Sequence, residues 1–347
     1  MVAIVVIDLL APPDIHLGPL LVAAPAITAL FAGPWTTGLV AVLAVGGEVL
    51  IAVLRDPDDL FTPNRQAQIA ALLLVGASLV VFCVVRERRA RELMQVRYVS
   101  ETAQRVVLRP LPRQIGPLRV ASCYLAAEAE AQIGGDLYAA ARTSSATTRL
   151  IVGDVRGKGM TAVGDAALLL GAFRAAAHRR ATLPELVTYL DGSVCWDLAE
   201  PGETDRSGET FITAAVLEIP DHGNRVDMID CGHPPPIVLR NGRVTTVEAR
   251  RPAPPLGLGE LGHGPYHVDT FTFEAGDLLL LYTDGVLEAR DSSGAFYPLT
   301  ERISGWSGGD PDAFLRALRR DLLDHVGGRL GDDAAMIAIE RPPASRP

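Results

Sequence analysis

The sequence has almost no lysine, few cysteines and no lysine or arginine in its first 54 positions. Lys158 is the only lysine among 32 basic side chains. The cysteines (Cys83, Cys123, Cys195 and Cys231) never form a Cys-x-x-Cys pair, which argues against a disulfide framework or a structural zinc site. The formal charge of −9 argues against a nucleic-acid binder, which would present a basic face.

The part of the chain before residue 86 is apolar. Its apolar stretches are Met1–Leu10, Gly18–Ala32, Trp35–Leu54 and Gln68–Val85. A membrane span needs about 20 mostly apolar residues, a length that the last two reach or nearly reach. A secretory signal peptide is the competing interpretation, but the basic segment that should open it is missing. We therefore predict a transmembrane domain of three or four helices over residues 1–86.

The charges around the last apolar stretch predict its orientation. Arg86, Arg88, Arg89 and Arg91 follow it directly, whereas the loop RDPDDLFTPNR before it is net acidic. Positive residues stay on the cytoplasmic side of a span. We therefore predict a multi-pass protein of the cell membrane whose C-terminal half is cytoplasmic.

A helical segment follows the membrane part. Glu87–Leu108 contains good helix formers and ends before Pro110 and Pro112. It predicts a stalk within a linker over residues 87–112. Its apolar residues form only a weak heptad pattern, so both a homodimer seam and a plain connecting helix remain open. The residues of that seam would be Leu93, Val96, Val107 and Leu108.

The soluble half, residues 113–341 before a short tail (342–347), predicts an α+β domain. Strands mostly follow strands and helices come in blocks, unlike the alternation of an α/β fold. The predicted strands are Val120–Leu125, Leu150–Val152, Phe211–Ile219, Ile237–Leu239, Leu278–Tyr282 and Ala334–Ile339. The predicted helices are Thr161–Arg180, Pro184–Leu198 and Pro311–Val326.

Aspartates stand at turns and at the ends of these strands. Asp136 follows a Gly-Gly turn, Asp154 follows LIVG, Asp284 follows LLLLYT, and Asp332 and Asp333 precede AAMIAIE. One such aspartate is most simply a turn or cap residue. Several of them converging at one edge of a sheet would form an oxygen-rich site that suits Mg²⁺ or Mn²⁺. Two such ions can activate a shared water for attack on a phosphate.

Other phosphate or hydrolase chemistry fits less well. GDVRGKGM has three residues between its first two glycines and a glycine after Lys158, so it is not a P-loop. The one Gly-x-Ser-x-Gly string, GWSGG at residues 305–309, does not follow a predicted strand, as a nucleophile elbow would. His233 in CGHPPP is better explained as a fixed loop residue than as a catalytic one.

The order of the motifs resembles a known family. IGGDLY, GDVRGKGM, TFITAAVLEI, CGHPPPIVL, PPLGLG, LLLYTDGVLEARD and GDDAAMIAI resemble the bacterial metal-dependent serine/threonine phosphatases related to protein phosphatase type 2C (PP2C), in the sporulation stage II protein E branch. The resemblance covers about Leu118–Glu340. It implies two antiparallel sheets packed face to face with helices outside, an αββα sandwich.

The resemblance also implies a site with two Mn²⁺ or Mg²⁺ ions and direct attack of water on phosphoserine or phosphothreonine. Asp154 would bridge the ions, and Asp333 is the alternative to Asp332 because a one-residue error is easy there. The implied catalytic and metal-binding residues are Asp136, Asp154, the Val155 carbonyl, Asp284 and Asp332.

Four further residues are candidates for this site. Gly135 and Gly285 adjoin two of the aspartates. Gln132 stands where the family often has glutamate, a change that could alter a contact behind the metal ligands. Lys158 matches the family's Gly-Lys-Gly. It either fixes the loop after Asp154 or contacts a phosphate. The alternative is an ordinary solvated lysine, in a genome whose composition favours arginine.

The resemblance implies phosphorylated anti-sigma antagonist proteins, or related regulators, as partners. A phosphatase-fold adaptor without activity is one rival. It is disfavoured because every expected aspartate is present. A phosphodiesterase or nucleotide hydrolase using the same metal chemistry is another rival, and substrate preference would distinguish it.

Overall fold

The computed structural model describes residues 2–10, 17–55, 62–127, 135–198, 211–261, 264–306 and 310–343. Gln132 therefore lies outside the described residues. The chain divides into two compact units, Met1–Gln95 and Val96–Pro347.

The first unit is helical. Its elements are α1 (Val2–Leu10), a 3-10 turn (Gly18–Val22), α2 (Ala23–Phe31), α3 (Pro34–Arg55) and the start of α4 (Pro63–Val107). In the described part of the chain, two helices are long and apolar enough to cross a membrane, Pro34–Leu54 and Pro63–Glu92. The shorter α1 and α2 do not reach that length, so three or four spans remain a prediction.

The helix predicted over Glu87–Leu108 is the C-terminal part of α4. No glycine or proline interrupts the chain between Gly76 and Pro110, so the last apolar stretch and the stalk form one continuous helix. The side chains of Leu93 and Val96 are outside those that the structure describes. Leu108 is instead buried in the core of the second unit, with Val107 packed against it, so the prediction that these two residues belong to a dimer seam is wrong. A seam through Leu93 and Val96 remains a prediction.

The second unit is a sandwich of two antiparallel sheets. One has the order β1-β2-β11-β10-β7-β8 and the other β3-β4-β5-β6-β9. The strands of the first sheet are β1 (Gln114–Ile115), β2 (Leu118–Leu125), β7 (Ile237–Arg240), β8 (Arg243–Thr246), β10 (Leu278–Tyr282) and β11 (Ala334–Glu340). Those of the second are β3 (Leu137–Arg142), β4 (Thr147–Val155), β5 (Ile212–Pro220), β6 (Arg225–Cys231) and β9 (Asp269–Thr272).

Helices cover both outer faces and complete the predicted αββα order. The second sheet packs against α5 (Met160–Ala176) and α6 (Leu183–Leu198), and the first packs against α9 (Pro311–His325). Short helices α7 (Asp284–Leu287) and α8 (Leu299–Ile303) follow β10. The α+β prediction and the face-to-face antiparallel sheets are confirmed.

Strand β10 shows why the central strands have continuous apolar runs in the sequence. Leu279 and Leu281 enter the core between the sheets, whereas Leu278 and Leu280 enter the core under α9. All are fully or almost fully buried. A strand with helices or sheet on both faces needs apolar side chains at every position, and such strands were correctly predicted.

Candidate metal centre

The pairing of β3 with β4 places two aspartates side by side. Leu137 pairs with Gly153 in the antiparallel register. Asp136, directly before β3, therefore lies across from Asp154, the penultimate residue of β4. The two Gly-Asp pairs thus meet at one end of the second sheet.

The first sheet brings its aspartates to the same place through β10 and β11. The register Tyr282–Met336 continues to Thr283, whose amide donates to the Ala335 carbonyl at 3.0 Å. Asp284, at the start of α7, and Asp332, just before β11, are therefore neighbours although they are far apart in sequence.

A buried threonine links the two sheets at this edge. Thr283 Oγ1 donates to Asp136 Oδ2 at 2.8 Å and accepts from the Ala335 amide at 2.8 Å. Thr283 is fully buried and Asp136 nearly so. The hydroxyl therefore fixes the position of a carboxylate from the opposite sheet. Sequence reasoning missed Thr283, although it stands directly before Asp284 in the recognised YTDG motif.

Two of the candidate glycines are required by close backbone contact. A Cβ on Gly135 would lie 2.5 Å from the Val155 carbonyl oxygen, and one on Gly285 would lie 1.8 Å from the Asp333 carbonyl oxygen. Neither position has room for a side chain. The Val155 amide also donates to the Gly135 carbonyl at 3.2 Å, so these glycines hold the aspartate-bearing turns together.

Burial and mutual repulsion raise the pKa of the central carboxylates. Burial raises the pKa of Asp154 to about 7, with further increases from Asp284 and Asp332. The pKa of Asp136 is raised well above its usual range by burial and then by Asp154. Desolvated carboxylates that repel one another are costly when ionised, and a bound cation would relieve that cost.

Asp284 lies at the rim of the group. Its side chain reaches solvent, yet neighbouring protein displaces enough of its water to raise its pKa, and Glu288 and Asp332 raise it further. Asp284 is thus electrostatically linked both to Asp154 in the centre and to its neighbour Asp332.

The adjacent aspartates Asp332 and Asp333 have different surroundings. Asp333 is 4 % exposed and accepts hydrogen bonds from the Tyr124 hydroxyl and from the Ala127 amide, the latter at 2.6 Å. Asp332 has a 40 % exposed side chain, and its Oδ2 lies 2.9 Å from Lys158 Nζ. Asp333 is therefore engaged in fixing the strand end, whereas Asp332 is accessible.

Lys158 faces the aspartates. Besides the ion pair with Asp332, its pKa is raised by the charges of Asp333 and Asp154. The lysine follows Gly157 and precedes Gly159, both with positive φ, a backbone conformation that glycine adopts without strain. These glycines turn the chain after β4 so that the ammonium group returns toward the carboxylates.

His233 is a fixed loop residue in the structure. Its Nε2 lies 3.1 Å from the Tyr282 carbonyl oxygen and its Nδ1 lies 3.3 Å from Thr213 Oγ1. Burial lowers the pKa of His233 to about 3, so the imidazole is neutral at physiological pH. Both ring nitrogens are already used, which agrees with the structural role expected from its sequence.

The donor set suits a hard cation, since it consists of carboxylate and carbonyl oxygens without thiols or free imidazoles. Among the residues that the structure describes, no three Asp, Glu, His or Cys side chains already converge into a ready-made ion site. The carboxylates lie close enough to shift one another's pKa.

A model of the stage II sporulation protein E (SpoIIE) family matches residues 144–342, more than half of the chain. The chain belongs to the SpoIIE family. Asp154, Asp284 and Asp332 lie within the matched segment, whereas Asp136 lies just before it. The domain is homologous to PP2C-type protein phosphatases, as the motif order indicates.

Individual relatives support the fold. Protein IcfG of Synechocystis is 28 % identical over 131 residues, 36 % of this chain and 20 % of that protein. The RsbU and RsbW domains of Mycobacterium tuberculosis Rv1364c are 25 % identical with a TM-score of 0.50, covering 66 % of this chain and 61 % of that one. The SiaA-PP2C domain of Pseudomonas aeruginosa is 15 % identical with a TM-score of 0.57, covering 73 % and 98 %. The chain thus spans only part of the first two.

Proposed function

We propose that this SpoIIE-family protein is a membrane-anchored serine/threonine protein phosphatase that uses two Mn²⁺ or Mg²⁺ ions. The observation that carries the proposal is the meeting of aspartates from both sheets at one edge, with Thr283 fixing Asp136 across the sandwich. Membership of the SpoIIE family supports a phosphatase function.

The proposed ligands follow from the surroundings of each group. Asp154, with neighbouring carboxylates on both sides, is proposed to bridge the ions, and the Val155 carbonyl to add a ligand. Asp332 is preferred to Asp333 because its side chain is 40 % exposed, whereas Asp333 is buried and is held by Tyr124 and Ala127. The proposed ligand set is completed by Asp136 and Asp284.

When bound, two such ions lower the pKa of a shared water and neutralise charge on a phosphate ester. The chain's own residues hold the carboxylates in place, with Gly135 and Gly285 allowing the close turns. Lys158, whose side chain is 43 % exposed, is proposed to meet the substrate phosphate at the rim. None of the described side chains at this edge is a poised serine or cysteine nucleophile, so we propose direct attack by water.

The proposed substrate is a phosphorylated regulatory protein of the anti-sigma antagonist type. Its phosphoserine or phosphothreonine would enter from the exposed rim that carries Lys158 and Asp284. The full chain should hydrolyse such a phosphoprotein in preference to nucleotides, which would separate this function from the nucleotide hydrolase rival. A phosphatase-fold adaptor would bind the protein without releasing phosphate.

The decisive experiment measures phosphate release from para-nitrophenyl phosphate and from a phosphoserine protein, with Mn²⁺ and with chelator. Asp154→Asn should abolish turnover. Asp324→Asn, the same change at an exposed site on α9, should leave it unchanged. Turnover that survives chelation, or that Asp154→Asn leaves intact, would contradict the proposed metal site.

The membrane anchor is proposed from the two long apolar helices and from the arginines that follow them. The phosphatase unit would then face the cytoplasm. Cell fractionation with alkaline washing should leave the full chain in the membrane. Recovery in the soluble fraction would contradict the anchor without affecting the proposed phosphatase site.

A further inference from the structure

An apolar groove of about 580 Å³ lies between α3 and α4. Trp35, Gly38 and Val42 line it on α3, and Val80 and Val84 line it on α4. Its volume is in the range of sites that hold small ligands, ~300–1,000 Å³. A large aromatic side chain and a glycine thus frame an open apolar slot on the surface of the first unit.

A basic residue continues the α4 wall of the groove. Val80, Val84 and Arg88 follow one another at four-residue spacing, which places them on the same helix face. The face therefore changes from apolar to cationic within one turn beyond the groove. Arg88 is exposed, and among the described residues it has no carboxylate partner.

The other helix places its tryptophan at the same level. Thr37 Oγ1 lies 3.7 Å from Cys83 Sγ, and a Cβ on Gly38 would lie 3.6 Å from Val80. The two helices therefore run antiparallel, and Trp35, in the first turn of α3, lies level with the turn of α4 that precedes Arg88. Its side chain is 90 % exposed.

Two neighbouring arginines, Arg86 and Arg91, are already used within the protein. Arg86 donates to the Ala29 carbonyl at 2.8 Å and to the Ala32 carbonyl at 3.0 Å, where α2 ends. Arg91 pairs with Glu87 one turn away. Arg88 is thus available to an external anion at the end of the groove.

We propose that this groove binds an anionic phospholipid, with an acyl chain along its apolar walls and the phosphate at Arg88. The inference rests on the proposed membrane insertion. Trp35 is suited to the headgroup level, where aromatic rings of membrane proteins concentrate. Arginines on the cytoplasmic side of a span attract anionic lipids, and the groove gives this attraction a defined position.

The test uses fluorescence of Trp35 in the full chain reconstituted into nanodiscs. Trp196→Phe and Trp306→Phe leave Trp35 as the only tryptophan of the three. Phosphatidylglycerol or phosphatidylcholine with brominated acyl chains is titrated into unlabelled phosphatidylcholine. We expect half-maximal quenching at about a five-fold lower fraction of the anionic lipid, the effect of one juxtamembrane arginine.

Two variants test the site itself. Arg88→Gln should remove the preference for the anionic lipid, whereas Arg89→Gln, the same charge change one position around the helix, should retain most of it. Gly38→Leu should fill the slot and weaken quenching by both lipids, since a Cβ there meets Val80 at an ordinary contact distance.

Equal quenching by the two lipids, or equal losses in Arg88→Gln and Arg89→Gln, would overturn the proposal and indicate diffuse surface charge. Absence of quenching by either lipid would overturn the membrane placement along with it. Phosphate release by the wild-type chain, measured separately, reports on the phosphatase proposal and is independent of all these outcomes.

Discussion

Asp154→Asn should stabilise the phosphatase unit in the presence of chelator while abolishing its activity. Burial and the charges of Asp284 and Asp332 raise the pKa of Asp154 from 3.8 to about 7. That is about three pH units, each equivalent to ~1.36 kcal/mol. The ceiling is therefore about 4 kcal/mol. Part of the repulsion is relieved by protonation of Asp136 instead of Asp154. We therefore expect the free energy of unfolding of the variant to exceed that of the wild type by ~1–3 kcal/mol at about pH 8.

The sign of the effect depends on pH. A folded-state pKa above the unfolded one means that the folded protein binds more protons between the two values, so stability falls as the pH rises. For Asp154 this window runs from about pH 4 to about pH 7. The wild-type unit should lose stability across it. The variant lacks that carboxylate, so its stability should fall less across this window. At the acidic end, the two proteins should have the same free energy of unfolding.

The assay is urea unfolding of Val96–Pro347, the unit with its own core, once circular dichroism has shown that the fragment is folded. Unfolding is monitored by the fluorescence of Trp196 and Trp306. Chelator is present in one series and Mn²⁺ in the other. Mn²⁺ at 100 times its Kd should stabilise the wild type by about 2.7 kcal/mol and should not stabilise the variant. Asp324→Asn provides the control for an ordinary exposed aspartate.

A variant less stable than wild type at about pH 8 with chelator would refute this reasoning. The stability difference between variant and wild type should also depend on pH. The same difference at about pH 4 and about pH 8 would refute the reasoning as well, because the predicted effect comes from ionisation and not from side-chain shape.

Three other perturbations test separate parts of the structure. Thr283→Val leaves Asp136 without its donor and should cost ~1–3 kcal/mol in urea unfolding, whereas Thr283→Ser should cost little. Gly285→Ala puts a methyl group 1.8 Å from a carbonyl oxygen; the fragment should therefore be recovered unfolded or strongly destabilised, and a normal unfolding curve would contradict the contact. Arg65→Ala removes the 2.8 Å partner of the fully buried Glu48 and should destabilise the full chain in detergent by ~3–5 kcal/mol; an unchanged melting temperature would show that the pair is dispensable.

Much of the fold could be predicted because its strongest elements are locally encoded. The buried strands β4, β5, β10 and β11 have continuous apolar runs, and the helix boundaries of α6 and α9 were predicted to within a residue or two. The strands that were missed, such as β6, β8 and β9, are polar or short. Strand β6 (Arg225–Cys231) carries Asp227 and Asp230 within its short apolar pattern, and it becomes a strand through its pairing with β5 and β9.

The sequence by itself determined the domain type and the identity of the aspartates, because each stands beside a glycine or at the end of an apolar run. Tertiary structure decided which of them meet. The register of β3 with β4 sets Asp136 beside Asp154, and that of β10 with β11 brings Asp284 to Asp332.

Only the packed sandwich shows that Asp333 is hydrogen-bonded to Tyr124 and Ala127, while Asp332 remains accessible. The two aspartates are adjacent and chemically identical, so no local pattern distinguishes them. Likewise, the sequence around Thr283 is that of an ordinary strand end. Its role follows only from the hydrogen bond that its hydroxyl donates to Asp136 of the other sheet. Contacts between residues far apart in the chain assign these roles, and such contacts exist only once both sheets have formed.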